Sequence, residues 1–426
     1  MKKIIIFVLI FIAFIFLTDS VMAEKEIEFW TINLSPQYDS YFLDKIKEFE
    51  KINPEIKIVW QDINFSSINQ KLQNRIAAGE VPEVVNLSPQ LMRSLLEEEL
   101  LFPISTLEEN YSKSYYPLLW QNGYYQGQYY AFPWYLSSKL MAYNQEIFKI
   151  AGVDPQKDFK SKEELFSTAE KLTAQTGVYA LMPQIKIHHD FIEAGIKLFK
   201  EDNNQHKAAF NTEKAEKIIE RYQQLVEKGV IPEDTLRSGF NIALERYKRN
   251  DLAILFTAPQ FLKSIENESD YLKDMTALAA IPTSEAEVIN ASLMNLVIPE
   301  KADHIVEAAS FANFITSAES QLEFSQRASV LSSAIIKKYE NNVENRDIIS
   351  ENNELTSLEN EAQFILKQQL ANNQDLTLLH PEADSLIKIM DEQFARAFAN
   401  KITAREALNI MEAKWNQLLV EENDNE

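Results

Sequence analysis

Aromatic side chains are concentrated in one stretch of the sequence, residues 115–135. They are Tyr115, Tyr116, Trp120, Tyr124, Tyr125, Tyr129, Tyr130, Phe132, Trp134 and Tyr135. Tyrosine and tryptophan combine a flat apolar ring with a polar tip. Such rings suit contact with a small molecule that has apolar C–H faces and a rim of hydroxyl groups, as a carbohydrate has. The alternative is that each ring fills a core or an interface between domains.

The sequence lacks the patterns that support nucleotide binding or nucleophilic catalysis. Its 8 glycines are not spaced as the G-x-G-x-x-G or P-loop sequences that hold phosphates. There is no G-x-S-x-G turn, and the absence of cysteine excludes a thiol nucleophile and a disulfide. Carboxylate pairs are too common among 64 acidic residues to indicate acid–base catalysis. We therefore predict no catalytic residue and no cofactor.

The 5 histidines do not predict a metal site. His188 and His189 are adjacent in the sequence, so in regular structure their side chains point in different directions. No cluster of carboxylates surrounds them in the sequence. We expect these histidines to face solvent or to support other residues, and we predict no metal ligand.

Strand and helix patterns alternate from residue 26 to residue 96. Alternating polarity over Glu26–Trp30 predicts a strand, and Phe42, Ile46 and Phe49 recur at helical spacing. The same order repeats twice more, and Ser88 is a predicted N-cap before Pro89. Alternation of this kind predicts a parallel sheet, which binds ligands at the carboxyl ends of its strands.

Strand and helix patterns continue beyond the aromatic stretch. Short apolar runs predict buried strands at 252–256 and 278–281, and a helix is predicted over Ile305–Ile315. Residues 340–375 are polar and rich in Asn and Glu, which predicts a surface segment of helix and loop. Two more helices are predicted before the C-terminus, and Thr403 with Glu406 forms a capping box at the second.

The first 23 residues have the layout of a secretory signal. Lys2 and Lys3 precede an apolar run from Ile4 to Leu17, and Val21-Met22-Ala23 supplies small residues before a cleavage site. The apolar run is shorter than the roughly 20 residues of a transmembrane helix. Without a cysteine for lipid attachment, we expect a soluble periplasmic protein that begins at Glu24.

The formal charge of −22 is unfavourable for nucleic-acid binding, which depends on clustered Lys and Arg. The acidic residues are spread along the chain, so we interpret them as a solvated surface that favours solubility. The 426 residues allow two or more domains, and a hydrophobic content of 46% is sufficient for well-packed cores.

Several segments resemble the extracellular solute-binding proteins of ABC sugar importers, the family that includes maltose-binding protein. The most specific is Tyr129-Tyr130-Ala131-Phe132-Pro133 leading into Met141-Ala142-Tyr143-Asn144. The others are Phe29-Trp30, Phe49–Ile58, Ile76–Val85, Ala253–Phe256, Ala279–Pro282 and Ala308–Ile315. Their order along nearly the whole mature chain is the order in the family.

This resemblance implies an α/β fold of two lobes, each a mainly parallel sheet flanked by helices, with the ligand cleft between the lobes. The first lobe is expected to contain residues 24–134 and 282–327, and the second residues 138–278 and 330–426. Crossovers between the lobes are expected near 132–138, 276–282 and 327–330. The resemblance also implies closure of the cleft by hinge bending.

The resemblance further implies which loops contact the ligand. The expected contact residues are Trp30, Asn33, Ser88, Gln90, Trp134, Tyr135, Ser137, Gln184 and Gln260. We expect the rings of Trp30 and Trp134 to stack on the ligand. Many members have Gly-Pro-Trp where this chain has Ala258-Pro259-Gln260, so a stacking ring of the second lobe is expected to be missing. Ser137 stands where maltose-binding protein has a glutamate, and both departures argue against maltose.

The implied function is capture of a mono- or oligosaccharide and its delivery to the permease subunits of an ABC importer in the inner membrane, by a monomer that is not an enzyme. One alternative is a non-sugar solute, such as glycerol phosphate or a polyamine, although the expected contact loops contain neither arginine nor an acidic residue. The other is a secreted glycoside hydrolase, which requires a pair of acidic residues facing a cleft.

We predict that the signal is removed after Ala23 during export, because the charged, apolar and small-residue regions occur in the order that signal peptidase recognises. The intact mass of the periplasmic protein measures this, and it should correspond to a chain that starts at Glu24. A membrane-bound protein that retains residues 1–23 would contradict the prediction.

Overall fold

The computed structural model describes residues 24–155, 159–202, 205–283, 286–336 and 355–423. The predicted signal peptide, residues 1–23, lies outside these ranges. The strands are β1 (Lys25–Ile32), β2 (Ile56–Ile63), β3 (Val84–Leu87), β4 (Tyr124–Tyr125), β5 (Gln128–Tyr129), β6 (Ala131–Ser138), β7 (Leu140–Asn144), β8 (Tyr179–Leu181), β9 (Phe199–Asp202), β10 (Gln205–Ala208), β11 (Leu252–Thr257), β12 (Thr276–Ala279), β13 (Ile289–Val297), β14 (Leu331–Ser332) and β15 (Asn373–Gln374).

The helices begin where the sequence supplies caps, for example at Ser88, Ser161 and Thr212, whose side chains accept hydrogen bonds from the first helical turn. They are α1 (Asp39–Ile52), α2 (Ile68–Ala78), α3 (Pro89–Glu97), α4 (Pro117–Gln121), α5 (Gln145–Ile150), α6 (Lys162–Thr176), α7 (Ile187–Glu193), α8 (Glu213–Glu227), α9 (Thr235–Lys248), α10 (Leu262–Glu266), α11 (Asp270–Met275), α12 (Ile305–Ile315), α13 (Ala318–Arg327), α14 (Ser357–Lys367), α15 (Ala383–Phe398) and α16 (Ala404–Asn423).

Two main sheets form the framework. The first has the strand order β14-β6-β13-β3-β1-β2, with β15 beside β13, and the second has the order β12-β7-β11-β8. The predicted alternation of strands and helices is confirmed from β1 to α3, where β1 pairs in parallel with β2 and β3. The sheets are mixed, however, and not mainly parallel, because β13 and β7 run antiparallel to their principal neighbours.

The antiparallel pairs arise where the chain passes between the sheets. Strand β6 leaves the first sheet at Ser138, and β7 enters the second at Leu140. Strand β12 leaves the second sheet, and β13 returns through the first in the opposite direction to β6. An outgoing and a returning strand that lie side by side must be antiparallel. The mixed sheet is therefore a consequence of the crossovers.

The same registers bring the carboxyl ends of the parallel strands together. Leu140 pairs with Thr257, the last residue of β11, and Met141 pairs with Ala279, the last residue of β12. On the other side of the crossover, Ser138 at the end of β6 pairs with Ala291 near the start of β13. The carboxyl edges of the two sheets consequently meet at the crossovers.

Buried apolar residues form one core on each face of the first sheet, a large core in the second, and a core that joins the two. In the joining core, Leu136 and Leu293 of the first sheet pack with Leu140 and Leu255 of the second. Helix α14 contributes Leu358, Ala362 and Leu366 to it. This part of the predicted 340–375 surface segment is thus a helix with one buried face, while Ser357 and Glu361 are exposed. Residues 340–354 of that segment lie outside the described ranges.

The C-terminal part of the chain differs from the expected division at two short strands. Leu331–Ser332 pairs with β6, and Asn373–Gln374 pairs with β13, so both belong to the first sheet. Residues 330–426 had been expected to lie wholly in the second lobe. The two strands fill unpaired edges of β6 and β13, and the chain then continues into α15 and α16, which pack with α8 beside the second sheet.

None of the helices in the described ranges combines the length and the apolar character needed to span a membrane.

Trp134 lies at the centre of an aromatic core in the first sheet. Its ring is fully buried, stacks on Phe324 at a centroid distance of 5.9 Å, and contacts Phe29 at 6.1 Å. We predict that Trp134→Ala lowers the free energy of unfolding by about 3–5 kcal/mol, because it removes a large buried ring and leaves a cavity. Denaturant titration followed by circular dichroism measures the loss.

Phe65→Ala is the matched control for this measurement, since the Phe65 ring is 54% exposed. It should change the free energy of unfolding by no more than about 0.5 kcal/mol. Equal losses for the two variants would show that the Trp134 ring does not stabilise the core.

Candidate functional site

Six of the predicted contact residues follow the carboxyl ends of strands. Asn33 follows β1, and Ser88 and Gln90 follow β3. Gln184 and Gln260 follow β8 and β11 of the second sheet, and Ser137 lies at the end of β6. All six are exposed or half-buried. Because the two carboxyl edges meet at the crossovers, we infer a candidate site between the two sheets, lined by polar side chains from both.

One hydrogen bond already links the predicted residues across this site. The Ser137 hydroxyl donates to Oε1 of Gln260 at 3.3 Å. A second link between the two halves is the ion pair of Arg93 on α3 with Asp384 at the start of α15, at 2.9 Å. Asp384 is 76% exposed, and such an exposed pair contributes only about 0–1 kcal/mol. The two sheets are therefore in direct polar contact, but only weakly held at these points.

The loop after β1 has a fixed conformation that presents Asn33. The Asp62 carboxylate accepts hydrogen bonds from the Thr31 hydroxyl at 2.6 Å and from the Leu34 backbone N–H at 3.0 Å. Asn33 has a positive φ of 52° and its Oδ1 accepts from the Phe65 N–H at 3.2 Å. Asn33 is thus held in place by its Oδ1 and is exposed on the first edge.

The other predicted polar residues differ in how freely they can bind a ligand. Ser88 is occupied as the N-cap of α3, where its Oγ accepts from the Leu91 N–H at 3.4 Å. Gln184 donates weakly to the Met182 carbonyl at 3.4 Å. Gln90 is exposed on the first turn of α3. Gln90, Gln184 and Gln260 therefore offer amide groups that can both donate and accept.

The two tryptophans expected to stack on a ligand are core residues in this conformation. Trp30 and Trp134 are both 0% exposed. The Trp30 Nε1–H donates to Glu28 Oε1 at 2.8 Å, and its ring is covered by the ammonium group of Lys71 at 5.2 Å. In this conformation both rings fill a core, which was the alternative to ligand contact. Stacking on a ligand stays a prediction, and it would require the rings to become exposed.

Tyr135 is half-buried beside this core. Its ring contacts Trp134 at 4.9 Å and Phe324 at 5.4 Å. Burial raises the pKa of the Tyr135 hydroxyl well above its ordinary value, with smaller contributions from Tyr38 and Asp62. The phenol consequently stays protonated and can donate a hydrogen bond.

Two exposed aromatic rings near the candidate site are not among the nine predicted contact residues, although Phe261 ends the expected contact loop Ala258–Phe261. Phe65 follows β2 and is 54% exposed, and Phe261 follows Gln260 and is 39% exposed. Phe261 packs against Phe240 of α9 at 4.5 Å. The second sheet therefore presents an aromatic ring one residue after Gln260, although a missing ring was expected at Gln260. A search of the whole Ala258–Phe261 loop for aromatic residues, rather than of one aligned position, would have found it.

His188 is buried and His189 is half-buried, so the solvent-facing alternative is wrong for His188, and support of other residues stays a prediction. His188 is 3% exposed and packs edge-on against His189 at 4.2 Å. Burial lowers the pKa of His188 to about 4 and that of His189 to about 3. Both rings are therefore neutral at pH 7. Within the described ranges, no three His, Asp or Glu side chains are grouped so that they could bind a metal ion.

We predict that lowering the pH reduces the free energy of unfolding, because His188 takes up a proton more readily in the unfolded chain than in the folded one. Its pKa is lower in the folded state than the ordinary value of 6.5, so the unfolded chain binds the proton first and stability is lost as the pH falls from 6.5 towards 4. Between pH 7 and pH 5 this loss should be roughly 1–2 kcal/mol for His188. Denaturant titrations at both pH values measure it, with Asp190, Asp391 and Lys186 as the neighbouring charges.

His188→Gln is the test variant, because glutamine is polar and does not titrate. It should lose less stability than the parent protein over the same pH interval. An identical pH dependence in the two proteins would mean that His188 titrates normally in the folded state.

Comparison with known proteins adds to this geometry. A model of the family described as "Bacterial extracellular solute-binding protein" matches residues 34–322. Provisionally named binding proteins of Brucella abortus and Brucella suis are 20% identical over 267 residues. The matched region covers 60% of this chain and 63% of those relatives, which is less than two thirds of their length.

Solved structures with similar folds cover nearly the whole chain. A Synechococcus sp. MITs9220 protein, provisionally named an oligosaccharide periplasmic-binding protein, has a TM-score of 0.77 and 24% identity, covering 93% of this chain and 99% of that one. The sugar-binding protein MalE of Xanthomonas citri has a TM-score of 0.75 and 18% identity, covering 94% and 98%. A Staphylococcus aureus extracellular solute-binding protein, solved with maltose, has a TM-score of 0.73 and 15% identity, covering 93% of this chain and 98% of that one.

These likenesses show that the two sheets described above form the two-lobed fold of periplasmic binding proteins. The family model covers more than half of the chain, from just after β1 into α13, and it includes β3 and β6 of the first sheet as well as the four strands of the second. The chain belongs to the bacterial extracellular solute-binding protein family.

Proposed function

We propose that this protein is the secreted solute-binding component of an ABC importer, which captures a carbohydrate between its two lobes and delivers it to a permease in the inner membrane. The main support is that the carboxyl ends of the strands of both sheets lie next to each other where the chain crosses between the sheets. The chain also belongs to the solute-binding protein family. Family relatives of the same fold include proteins described as sugar-binding or solved with maltose. We further propose that it binds without turnover, in the periplasm, as a monomer, after removal of residues 1–23.

We propose that the lobes follow the sequence-based division, 24–134 with 282–327 and 138–278 with 330–426, except for the two short strands. β14 and β15 are assigned to the first lobe, since they pair with β6 and β13. The last crossover then follows Gln374 and not residue 330. Asp375 supports this position, because its carboxylate accepts from the Leu293 N–H at 2.9 Å.

The proposed ligand contacts combine amide and hydroxyl groups with aromatic rings. Asn33 and Gln90 of the first lobe, and Gln184 and Gln260 of the second, would exchange hydrogen bonds with sugar hydroxyls. Phe65 and Phe261 present exposed rings on the two edges, which suits the apolar C–H faces of a sugar. None of these side chains is charged, and this favours a neutral solute over a phosphate ester or a polyamine.

The proposed mechanism is closure of the lobes around the ligand. Only Lys139 lies between β6 and β7, and a further connection runs from β12 to β13. Short connections bend more readily than packed cores deform. A ligand that contacts both edges stabilises the closed state by its additional contacts there, which is the only way in which it can shift the equilibrium.

We predict that a sugar from a panel of mono- and oligosaccharides raises the melting temperature, because a ligand that binds only the folded state stabilises it. For that sugar, calorimetry should show that Phe261→Ala weakens binding by about 1–3 kcal/mol, roughly 5- to 150-fold, through loss of ring contact. Small-angle scattering should give a smaller radius of gyration with the sugar than without it.

Tyr271→Ala is the matched control. Tyr271 is 51% exposed and belongs to the second sheet's helix α11, which leads into the start of β12 and not to its carboxyl end. It should bind the sugar as the parent protein does. Turnover of the panel glycosides would favour a hydrolase, and an unchanged radius with binding established by calorimetry would contradict closure.

A further inference from the structure

A cavity lies in the second lobe, next to a smaller one that shares Phe166 and Tyr222 with it and is also lined by Gln184. The larger cavity has a volume of about 370 Å³, which falls within the range of small-molecule sites. It is lined by α6, α7, α8 and the segment that follows β12. The lining residues used below are Phe166, Lys214, Lys217, Ile218, Arg221 and Tyr222, and Thr283 closes one side. None of the residues predicted to contact the sugar lines it.

The floor of the cavity is apolar and held in place. Phe166 and Tyr222 meet edge to face at a centroid distance of 6.0 Å, and Ile218 lies one turn from Tyr222 on α8. The Tyr222 hydroxyl donates to Asp190 at 3.1 Å. This bond ties the ring to α7, so the floor is rigid enough to accept the flat body of a ligand.

The rim of the cavity is basic. Lys214, Lys217 and Arg221 recur at intervals of three and four residues, so they share one face of α8 with the apolar floor. Arg221 is held by ion pairs with Glu163 at 2.9 Å and with Glu170. Lys217 is exposed and has no ion pair among the described residues. Glu163 and Asp190 also line the cavity, but Glu163 pairs with Arg221 and Asp190 with Lys162, so the exposed Lys217 remains as a positive charge beside the apolar floor.

We propose that this cavity is a second ligand site, which binds a small organic anion with an apolar body, such as an aromatic carboxylate. The ring of the ligand would lie on Phe166, Ile218 and Tyr222, and its carboxylate would pair with Lys217. A cation at the mouth of an apolar cavity selects an anion over a neutral molecule of the same shape. The proposal does not depend on which solute the lobes capture, because Lys217 and Ile218 line this cavity and not the neighbouring one that contains Gln184.

The probe for this site is 2-naphthoate, titrated into the full mature protein by calorimetry and by saturation-transfer NMR. We expect saturable binding of one equivalent. 2-Naphthalenemethanol, which keeps the ring and lacks the charge, should bind roughly two- to fivefold more weakly, because the pairing with the exposed Lys217 is lost. Raising the salt concentration should weaken the binding of 2-naphthoate and leave the binding of the alcohol unchanged.

Lys217→Glu tests the rim and Phe166→Ala the floor. Lys217→Glu should weaken 2-naphthoate roughly five- to tenfold without changing the binding of the alcohol. Lys149→Glu is the matched control, since Lys149 is an exposed lysine of the same lobe that does not line the cavity. It should bind as the parent does. Phe166→Ala should weaken both probes.

The melting temperature and the sugar affinity of each variant serve as the test of folding. Both should be unchanged for Lys217→Glu, which distinguishes failure of this site from failure of the sugar site. If Phe166→Ala unfolds the lobe, Ile218→Ser replaces it as the floor variant. Three results would overturn the proposal: no saturable binding of 2-naphthoate, equal affinity for the alcohol, or equal weakening by Lys149→Glu and Lys217→Glu.

Discussion

The continuity of β6 and β7 determines most of the remaining structure. A single residue, Lys139, separates the two strands, so the direction and register of the second sheet follow from those of the first. Ser138 pairs with Ala291 on one side of this residue, and Leu140 pairs with Thr257 on the other. Any change in register at this point would move the β11 edge away from the β1 and β3 edges, and it would expose apolar residues of both sheets.

The same crossover is covered by a core that belongs to both sheets. Leu136 and Leu293 on one side pack with Leu140 and Leu255 on the other, beneath α14. Helix α14 is anchored to both halves. Its Gln363 donates to the Ser325 carbonyl at 2.7 Å, and its Leu358 N–H donates to Glu266 of α10 at 3.1 Å. The proposed closure must therefore leave this core packed, which favours a rotation that pivots near α14.

The anchor at Glu266 is electrostatic as well as structural. Although burial alone would raise the pKa of Glu266, hydrogen bonds from Lys273, Ser357 and Leu358 lower it to about 2. The carboxylate is thus charged at every pH at which the protein is expected to work. The hydrogen bonds to the charged Glu266 hold α14 to α10 of the second lobe, so α14 would move together with that lobe.

The predictable part of this structure is that which depends on local patterns. Alternating polarity at Glu26–Trp30 and the cap at Ser88 identify β1 and α3, because strand period and capping are properties of neighbouring residues. The pairing of Asn373 with Ile289 depends on residues 84 positions apart and has no local signal. The burial of Trp134 likewise depends on Phe324, which no periodicity within β6 can indicate. The sequence therefore predicts which residues lie at strand ends, but it does not predict whether a given aromatic ring is buried in a core or exposed to solvent.

The position of each aromatic residue relative to its strand explains whether its ring is buried in a core or exposed near the candidate site. Trp30 and Trp134 lie within strands, where alternate side chains must enter one core or the other, and both rings are consequently covered. Phe65 and Phe261 lie just beyond strand ends, where the backbone has left the sheet and a ring can remain in solvent. An exposed ring costs hydrophobic free energy in the empty protein, at roughly 25 cal/mol per Å² of uncovered apolar surface. A ligand that covers such a ring recovers this free energy, whereas a ring already buried in the core has none left to contribute. In this conformation the rings with uncovered surface are therefore those at the strand ends, whereas Trp30 and Trp134 would first have to become exposed to contact a ligand.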